Sequence, residues 1–146
     1  MLTVRPATLA DATEINAVSA HLGYAPLSDT VARAQLEALI ASGDDAVYVA
    51  EIDRGIAGWI HLFRARRLAS PAFHEIGGLV VDPAHRRQGV GQALVCYARD
   101  HLTGHLRVRC RNDRESTHRF YESLGFTDTK SQRVFELPAP DSLNST

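Results

Sequence analysis

The chain has little cysteine, almost no net charge and no long apolar run, and each absence excludes a class of protein. No stretch approaches the roughly 18 apolar residues of a membrane span. The opening residues, Met1 to Arg5, lack the basic-then-apolar order of a signal peptide. The only two cysteines, Cys96 and Cys110, have no CxxC spacing, which favours a reducing, cytoplasmic setting without a zinc site. A formal net charge of −1 gives no reason to expect nucleic acid or an anionic membrane as partner.

What the sequence does contain is typical of one globular domain. Its 146 residues are 45% hydrophobic and 23% charged, and they show no repeats, low-complexity tract or long linker. We therefore expect a single domain over residues 1–137. The last stretch, Pro138 to Thr146, is expected to be a disordered tail.

The spacing of apolar residues predicts a mixed α/β (α+β) fold, with a central mixed sheet of six to seven strands flanked by about four helices. The predicted strands are Leu2 to Arg5, Ala46 to Ile52, Ile56 to Arg64, Phe73 to Val81, His105 to Arg111 and a hairpin-like stretch, Phe126 to Leu137. The predicted helices are one from the Thr8-x-x-Asp11 capping box to Leu22, then Asp29 to Ala41, Gln88 to Leu102 and Ser116 to Leu124.

A glycine-rich loop, Arg86 to Gly91, follows the fourth predicted strand and opens a helix. The start of a helix leaves backbone N–H groups unpaired and carries about half a positive charge, so it attracts phosphate oxygens. Gly89 and Gly91 let the backbone come close, and Arg86 and Arg87 add charge-assisted hydrogen bonds. Neither a Walker motif nor the G-x-G-x-x-G fingerprint is present. The loop predicts a pyrophosphate site, and the alternative is a purely structural helix start.

Two stretches of the sequence resemble the motifs of the GNAT acyltransferase superfamily. Residues 79–94, which read LVVDPAHRRQGVGQAL, are similar to the acetyl-CoA motif of that family. Asn112, followed by residues 118–126 (HRFYESLGF), is similar to its second motif. The order of predicted elements also matches, so the resemblance covers about residues 2–137.

The resemblance implies an N-acetyltransferase that moves an acetyl group from acetyl-CoA to a primary amine of a small molecule or peptide, by direct attack in a ternary complex. The pantetheine arm would lie like an extra strand between the fourth and fifth strands. Tyr121 would point its hydroxyl at the thioester sulfur. The residues implied to bind the cofactor are Leu79, Val80, Val81, Arg86, Arg87, Gln88, Gly89, Val90, Gly91, Gln92 and Asn112.

The chemistry of the transfer requires a neutral amine. A lysine-like amine has a pKa near 10.4, so presenting it neutral at pH 7 costs roughly 4.6 kcal/mol. Glu75 is the candidate general base, directly or through water, because its spacing from the loop is similar to that of the catalytic glutamate in the histone-modifying members. The adjacent Gly77-Gly78 predicts a bulge that re-aims side chains. The alternative is a solvent-facing glutamate, and His74 and Glu51 are lesser candidates.

A row of arginines, Arg107, Arg109 and Arg111, alternates with apolar residues in the fifth strand. A strand buried on both faces would be nearly all apolar. The row therefore predicts a face that is solvated, ion-paired, or in contact with cofactor phosphate or another subunit. A second arginine cluster is expected to be a solvated strand end: Arg64, Arg66 and Arg67.

Two rival functions remain open at this point. One is a sensor that binds acetyl-CoA without turnover, and the other is a nucleic-acid-binding module that uses the arginine row. The second lacks interleaved aromatics and net positive charge. No metal is expected, and a homodimer is possible. The segment from Leu22 to Ala41 shows no pattern that identifies the amine acceptor.

Overall fold

The computed structural model describes residues 1–21 and 23–140, and the centre of that part of the chain is one five-stranded sheet. The strands follow chain order across the sheet. Neighbours are antiparallel from the first to the fourth strand, and the fourth and fifth are parallel. The strands are β1 (Thr3–Pro6), β2 (Asp45–Ile52), β3 (Gly55–Ala65), β4 (Phe73–Val81) and β5 (Leu106–Val108).

Four α-helices accompany this sheet in the described residues. They are α1 (Ala12–Ala20), α2 (Asp29–Ala41), α3 (Val90–His101) and α4 (Glu115–Ser123). Short 3-10 helices precede α1 and α3, at Leu9–Asp11 and Pro83–His85. Among the described residues, no helix has both the length and the apolar content that a membrane span requires.

The chain divides into two compact units, Met1–Arg109 and Cys110–Thr146. The first unit contains the whole sheet together with α1, α2 and α3. The second unit contains α4.

The predicted fold class is confirmed: one mixed sheet with four helices, in the predicted order of elements. The sheet has five strands in the described residues, fewer than the six to seven expected. The missing strands are those predicted in residues 126–137, where no strand forms. Val134 and Phe135 are adjacent, so in a strand they would point to opposite faces, and neither face would be consistently apolar. Their side chains are 79% and 87% exposed.

Several predicted boundaries are corrected. The fifth strand covers Leu106–Val108 rather than His105 to Arg111, because it pairs only with residues 74–76 of β4, just before a bulge. The third helix begins at Val90 and not at Gln88, since Gly89 caps it in a left-handed conformation. Two predicted features, the helix position Leu22 and the part of the tail in residues 141–146, lie outside the described residues.

β2 and β3 form a hairpin with a tight turn. Ile52 pairs with Gly55, which leaves a two-residue connection of Asp53 and Arg54. Both residues have positive φ, at 51° and 68°. Two successive left-handed residues give the turn twist that matches paired strands. The turn sets the pairing at the end of the hairpin, and a register shift between Ala50 and Glu51 changes that pairing by one residue further along.

Each face of the sheet is covered by helices. One hydrophobic cluster joins Val49, Ile56 and Val80 of the sheet to Val18 of α1 and Leu36 of α2. On α3 the buried positions recur at helical spacing, as expected for an amphipathic helix: Val90, Leu94, Val95 and Ala98. The start of α3 is therefore held against the sheet by its own first residue.

Gly58 allows that close contact between sheet and helix. A Cβ at this position would lie 2.6 Å from the carbonyl oxygen of Val80 and 3.0 Å from Cγ1 of Val90. Real Cβ atoms do not come that close to a backbone oxygen. Only a glycine on β3 permits β4 and the start of α3 to keep these positions.

An ion-paired cluster ties the first helical turn to the sheet. Both guanidinium nitrogens of Arg5 donate to the carboxylate of Asp11 at 2.8 Å, and Arg5 also pairs with Glu51 of β2. The same Asp11 carboxylate accepts the N–H of Thr8 at 2.8 Å, as the predicted capping box requires. Hydrogen bonds from Arg5 hold the pKa of the Asp11 carboxyl below its ordinary value, although burial opposes the shift.

We expect Asp11→Asn to lower the free energy of unfolding at pH 7 by about 1.5–3 kcal/mol, because charge-assisted hydrogen bonds to a nearly buried carboxylate are lost. A carboxyl with a depressed pKa stabilises the fold above its unfolded pKa and loses that effect as pH falls. The difference between variant and parent should therefore shrink below about pH 4. Urea unfolding at pH 7 and pH 3 measures this, with the exposed Asp100→Asn as control. Equal destabilisation at both pH values would contradict the ionic role.

Candidate functional site

In the described residues, one edge of β4 has no paired strand beyond its first few residues. β5 pairs with β4 only at His74, Glu75 and Ile76, and the described residues place no strand beside the remainder of that edge. The register of β3 against β4 shifts between His61 and Leu62, which makes Gly77 an extra residue in β4 and confirms the predicted bulge. A gap therefore opens at the bulge.

The backbone groups that face this gap can be identified from the opposite edge of β4. The N–H of Asp82 donates to Ala57 of β3 at 2.8 Å, so Asp82 points its backbone towards β3. Backbone direction alternates along a strand. Val80 consequently faces β3 as well, and its side chain is 1% exposed in the core. Leu79 and Val81 direct their backbone N–H and C=O groups into the gap, as the resemblance implies.

The loop after β4 leads to a helix start with unpaired donors. Asp82 caps the short helix Pro83–His85 by accepting the N–H of Ala84 at 3.0 Å. The first hydrogen bond inside α3 runs from Ala93 N–H to the Gly89 carbonyl at 2.9 Å. The N–H groups before Ala93, those of Val90, Gly91 and Gln92, have no acceptor within the helix. They form the positive end of its dipole.

Two residues of the loop hold a left-handed backbone. Arg87 has φ of 64° and Gly89 has φ of 78°, whereas Gly91 lies inside α3 with ordinary φ. Arg86, Arg87, Gln88 and Gly89 are all exposed. A Cβ built on Gly89 would meet no atom within 4 Å, so the backbone there is open to a ligand. Of the two predicted glycines, Gly89 is the one whose conformation requires glycine.

Glu75 lies on β4 just before the bulge and is engaged by one of the arginines of the predicted row. Nε of Arg109 donates to its Oε1 at 3.1 Å, and the carboxylate side chain is 13% exposed against 55% for Arg109. On β3, Phe63 is its direct partner across the strands. The Glu75 carboxylate is therefore paired with the positive charge of Arg109, on the face of the sheet that also holds Phe63.

The lesser candidates for a base are occupied elsewhere. Nδ1 of His74 lies 3.0 Å from the carbonyl oxygen of Thr103. Glu51 pairs with Arg5 in the cluster described above. The Glu51 carboxylate is therefore ion-paired, and one ring nitrogen of His74 is held by a backbone carbonyl.

The other arginines also have partners, which supports the ion-paired interpretation. Arg107 lies over the ring of Phe73 at 4.0 Å, and Arg111 pairs with Asp113 at 3.2 Å within the second unit. In the strand-end cluster, Arg66 contacts Asp44 at 3.6 Å. Arg67 lies 5.4 Å from the same Phe73 ring. The carboxylates of Asp44 and Asp113 therefore each have an arginine as partner.

The second unit holds the other two predicted site residues. Tyr121 lies on α4, 7% exposed, with its ring edge-on to Phe120 at 5.0 Å and Phe126 at 5.2 Å. Burial raises the pKa of Tyr121, with a smaller contribution from Cys110. The phenol is therefore protonated at physiological pH and can donate a hydrogen bond there. Asn112 is exposed in a turn before α4.

Sequence reasoning missed a hydrogen-bonded pair on the first unit. Nε2 of His61 on β3 lies 2.8 Å from Oδ1 of Asp45 on β2. The sequence carried no local signal for it, because position 45 lies diagonally across from position 61 only after the register shift between Ala50 and Glu51, which the turn does not predict. Among the described residues, no group of three or more metal-ligating side chains is found.

Comparison with known sequences identifies the family. The family model described as an acetyltransferase (GNAT) domain matches residues 43–128, which is more than half of the chain. The chain therefore belongs to the GNAT acetyltransferase family, which confirms the resemblance read from the two motifs.

The chain is also similar to one curated protein and, in fold, to several solved structures. An uncharacterized protein of Mycobacterium leprae is 30% identical over 109 residues, which is 64% of this chain and 30% of that protein, so the chain spans less than a third of that relative. Glucosamine-6-phosphate N-acetyltransferase from Arabidopsis thaliana has a TM-score of 0.80 at 16% identity, covering 94% of this chain and 99% of that one. An aminoglycoside N-acetyltransferase in complex with CoA has a TM-score of 0.80 at 15% identity, covering 95% and 96%. At such identities the likeness shows a shared fold.

We expect Gly89→Val to lose most of the thermal stabilisation that acetyl-CoA gives the parent. A side chain at left-handed φ costs roughly 1–2 kcal/mol, and the branched Cβ stands where a phosphate would approach. Gly43→Val is the matched control, because its Cβ also meets no atom within 4 Å and its φ is not left-handed. The measurement is Tm with and without acetyl-CoA. A Gly89→Val protein that is stabilised as much as the parent would show that the phosphates bind elsewhere.

Proposed function

We propose that this chain transfers an acetyl group from acetyl-CoA to a primary amine of a small molecule or peptide, by direct attack of the amine on the thioester. One observation carries the proposal: a free edge of β4 leads directly into a helix start with unpaired N–H groups. An extended arm that ends in a pyrophosphate fits both features at once. Family membership supports acyl transfer as the reaction.

Binding of the donor follows from these two features. The backbone of Leu79 and Val81 would pair with the amides of the pantetheine arm, and Val80 would anchor the strand through its buried side chain. The N–H groups from Arg87 to Gln92 would hold the pyrophosphate, with the side chains of Arg86 and Arg87 adding charge. Asn112 is assigned to the cofactor by the family motif. No metal takes part in this scheme.

Glu75 is the proposed group that binds the acceptor ammonium and starts its deprotonation, directly or through water. Its carboxylate is nearly buried beside the bulge, where the gap for the thioester opens. The ion pair with Arg109 keeps it oriented along the sheet. An ammonium that approaches Glu75 would share the carboxylate with Arg109.

Tyr121 is the proposed hydrogen-bond donor to the leaving sulfur. A thiolate with a pKa near 8.5 is a weaker base than an ordinary tyrosinate near 10, so full proton transfer from the phenol is already uphill by about 2 kcal/mol. Burial raises the pKa of Tyr121 further and makes that transfer more costly. Its contribution would therefore be a hydrogen bond to developing charge rather than a proton.

The remaining expectations stay proposals of the same kind. Residues 1–137 would act as one acetyltransferase domain, and the family model supports this because its match, residues 43–128, includes parts of both compact units. A homodimer fits the family. Two free cysteines, Cys96 and Cys110, are compatible with the cytoplasmic setting expected from the sequence.

An acceptor screen tests the function. The protein is mixed with acetyl-CoA and each of a set of amines, and release of free thiol is followed against a reaction without amine. The set comprises an aminoglycoside, an amino-sugar phosphate, an amino acid, a polyamine and a peptide with a free amine. We expect thiol release above the control with at least one class. A protein that acetyl-CoA stabilises, but that releases no thiol with any amine, would be a sensor.

We expect Tyr121→Phe to lower kcat by about 100-fold or more, the usual cost of removing one donor to a developing anion. The affinity for acetyl-CoA should stay within about twofold, since the ring remains in place. Tyr97→Phe serves as control, because that ring stacks on His101 within α3. Steady-state rates and a binding titration provide the two values. Unchanged turnover would remove Tyr121 from the mechanism.

A further inference from the structure

His61 and Asp45 form an oriented pair on the same sheet as the free edge of β4. The side chains are 24% and 19% exposed, and Nε2 of the ring lies 2.8 Å from the carboxylate. Burial alone would raise the pKa of the Asp45 carboxyl, but hydrogen bonds from His61 and Ser42 outweigh it and leave the pKa below its ordinary value. Asp45 is thus ionised and can only accept, so the proton of a neutral His61 ring resides on Nε2.

The other ring nitrogen of His61 is then an unprotonated acceptor beside the bulge. A Cβ built on Gly77 would lie 3.0 Å from Nδ1 of His61, so the ring packs directly on the extra residue of β4. The described residues provide no hydrogen-bond partner for Nδ1, and it is not among their buried unpaired atoms, so water reaches it. A nitrogen base therefore stands at the residue where the gap between β4 and β5 begins.

Pairing across the sheet places Glu75 on the same face. Phe63 is the direct partner of Glu75, and His61 follows two residues away on β3, so the three side chains point to one side. The charged groups around His61 are Asp45 from β2 and Glu75 from β4, the latter with its partner Arg109. An ordinary carboxylate is a weaker base than an imidazole by about two orders of magnitude.

We propose that His61, oriented by Asp45, is a general base of the acetyl-transfer reaction and receives the proton that the acceptor ammonium gives up at Glu75, through water. This inference rests on the function proposed above. The orientation of a histidine base by a carboxylate, with the second nitrogen free to take a proton, is a recurrent catalytic arrangement.

The protons balance in the following way. The ammonium loses one proton to Nδ1 of His61, which becomes an imidazolium stabilised by Asp45. The neutral amine attacks the thioester carbonyl, the C–N bond forms and the C–S bond breaks. The amide nitrogen sheds its second proton, the CoA thiolate takes up one proton, and His61 returns its own to solvent. The net products are the N-acetylated amine, CoA and one proton.

The test compares pH profiles of kcat/KM from pH 5.5 to 9 in the parent, His61→Gln and Asp45→Asn, with the best acceptor of the screen. We expect His61→Gln to lower kcat/KM at pH 7.5 by about 100-fold, the lower end of the range for general bases. It should also remove the acidic limb of the profile, because a base that must be unprotonated to act is then missing. Asp45→Asn should keep a limb but move its midpoint to lower pH, because an anion that favours the imidazolium is lost.

Two controls separate this role from a structural one. His74→Gln changes a histidine of the neighbouring strand whose ring is bonded to Thr103, and it should leave the profile unchanged. Glu75→Gln should lower the rate and retain the limb. The Kd of acetyl-CoA and the Tm should stay close to those of the parent in His61→Gln. If that variant lost stability, the ring ¹⁵N spectrum of the parent would test the pair instead, with a proton on Nε2 and none on Nδ1 expected.

The outcomes distinguish the two proposals. If His61→Gln turns over as fast as the parent and keeps the acidic limb, the proposed role of His61 is wrong. The proposed acetyltransferase function is not affected by that result. A proton found on Nδ1 of His61 at pH 8 also overturns it. A parent that acetylates no amine overturns the proposed function, and the role of His61 falls with it.

Discussion

The early end of β5, beyond which β4 continues for five residues, is the constraint on which the rest of the candidate site depends. β4 and β5 share a ladder that ends at Ile76, where the extra residue Gly77 interrupts the register on the other side of β4. The following part of β4 keeps backbone donors and acceptors that no strand in the described residues satisfies. Unpaired backbone groups are costly when shielded from water, so such an edge favours a ligand with its own amides. The helix start beyond Val81 then determines where the charged end of that ligand can lie.

Much of this arrangement could be predicted from the sequence, because its signals are local. The bounds of β4 were right at both ends, since an apolar run is stopped by Asp82 and Pro83. The bulge was predictable from two adjacent glycines. Each of these depends on residues within a few positions of one another, where steric preference decides the conformation.

The sequence could not predict which distant side chains become hydrogen-bond or ion-pair partners through strand register. Nothing near Glu75 in the chain identifies Arg109 as its counter-ion, and nothing near His61 identifies Asp45. The strands predicted in residues 126–137 are absent for a related reason. A sequence typical of a strand forms one only where a neighbouring strand can pair with it. Charge alternation in β5 correctly indicated a polar face, yet each arginine has a different kind of partner: a ring, a carboxylate of the sheet and a carboxylate of a turn.

Gly58 shows how a site can depend on the absence of a side chain. It takes no part in binding, and it lies on a strand that precedes the loop by a long stretch of chain. Its missing Cβ nevertheless sets the spacing between the carbonyl of Val80 and the side chain of Val90. Any larger residue would separate the strand that ends at the loop from the helix that begins after it. The position of the α3 start relative to β4 thus depends on the small size of Gly58, and tolerance to substitution should be low at this position although it has no chemistry of its own.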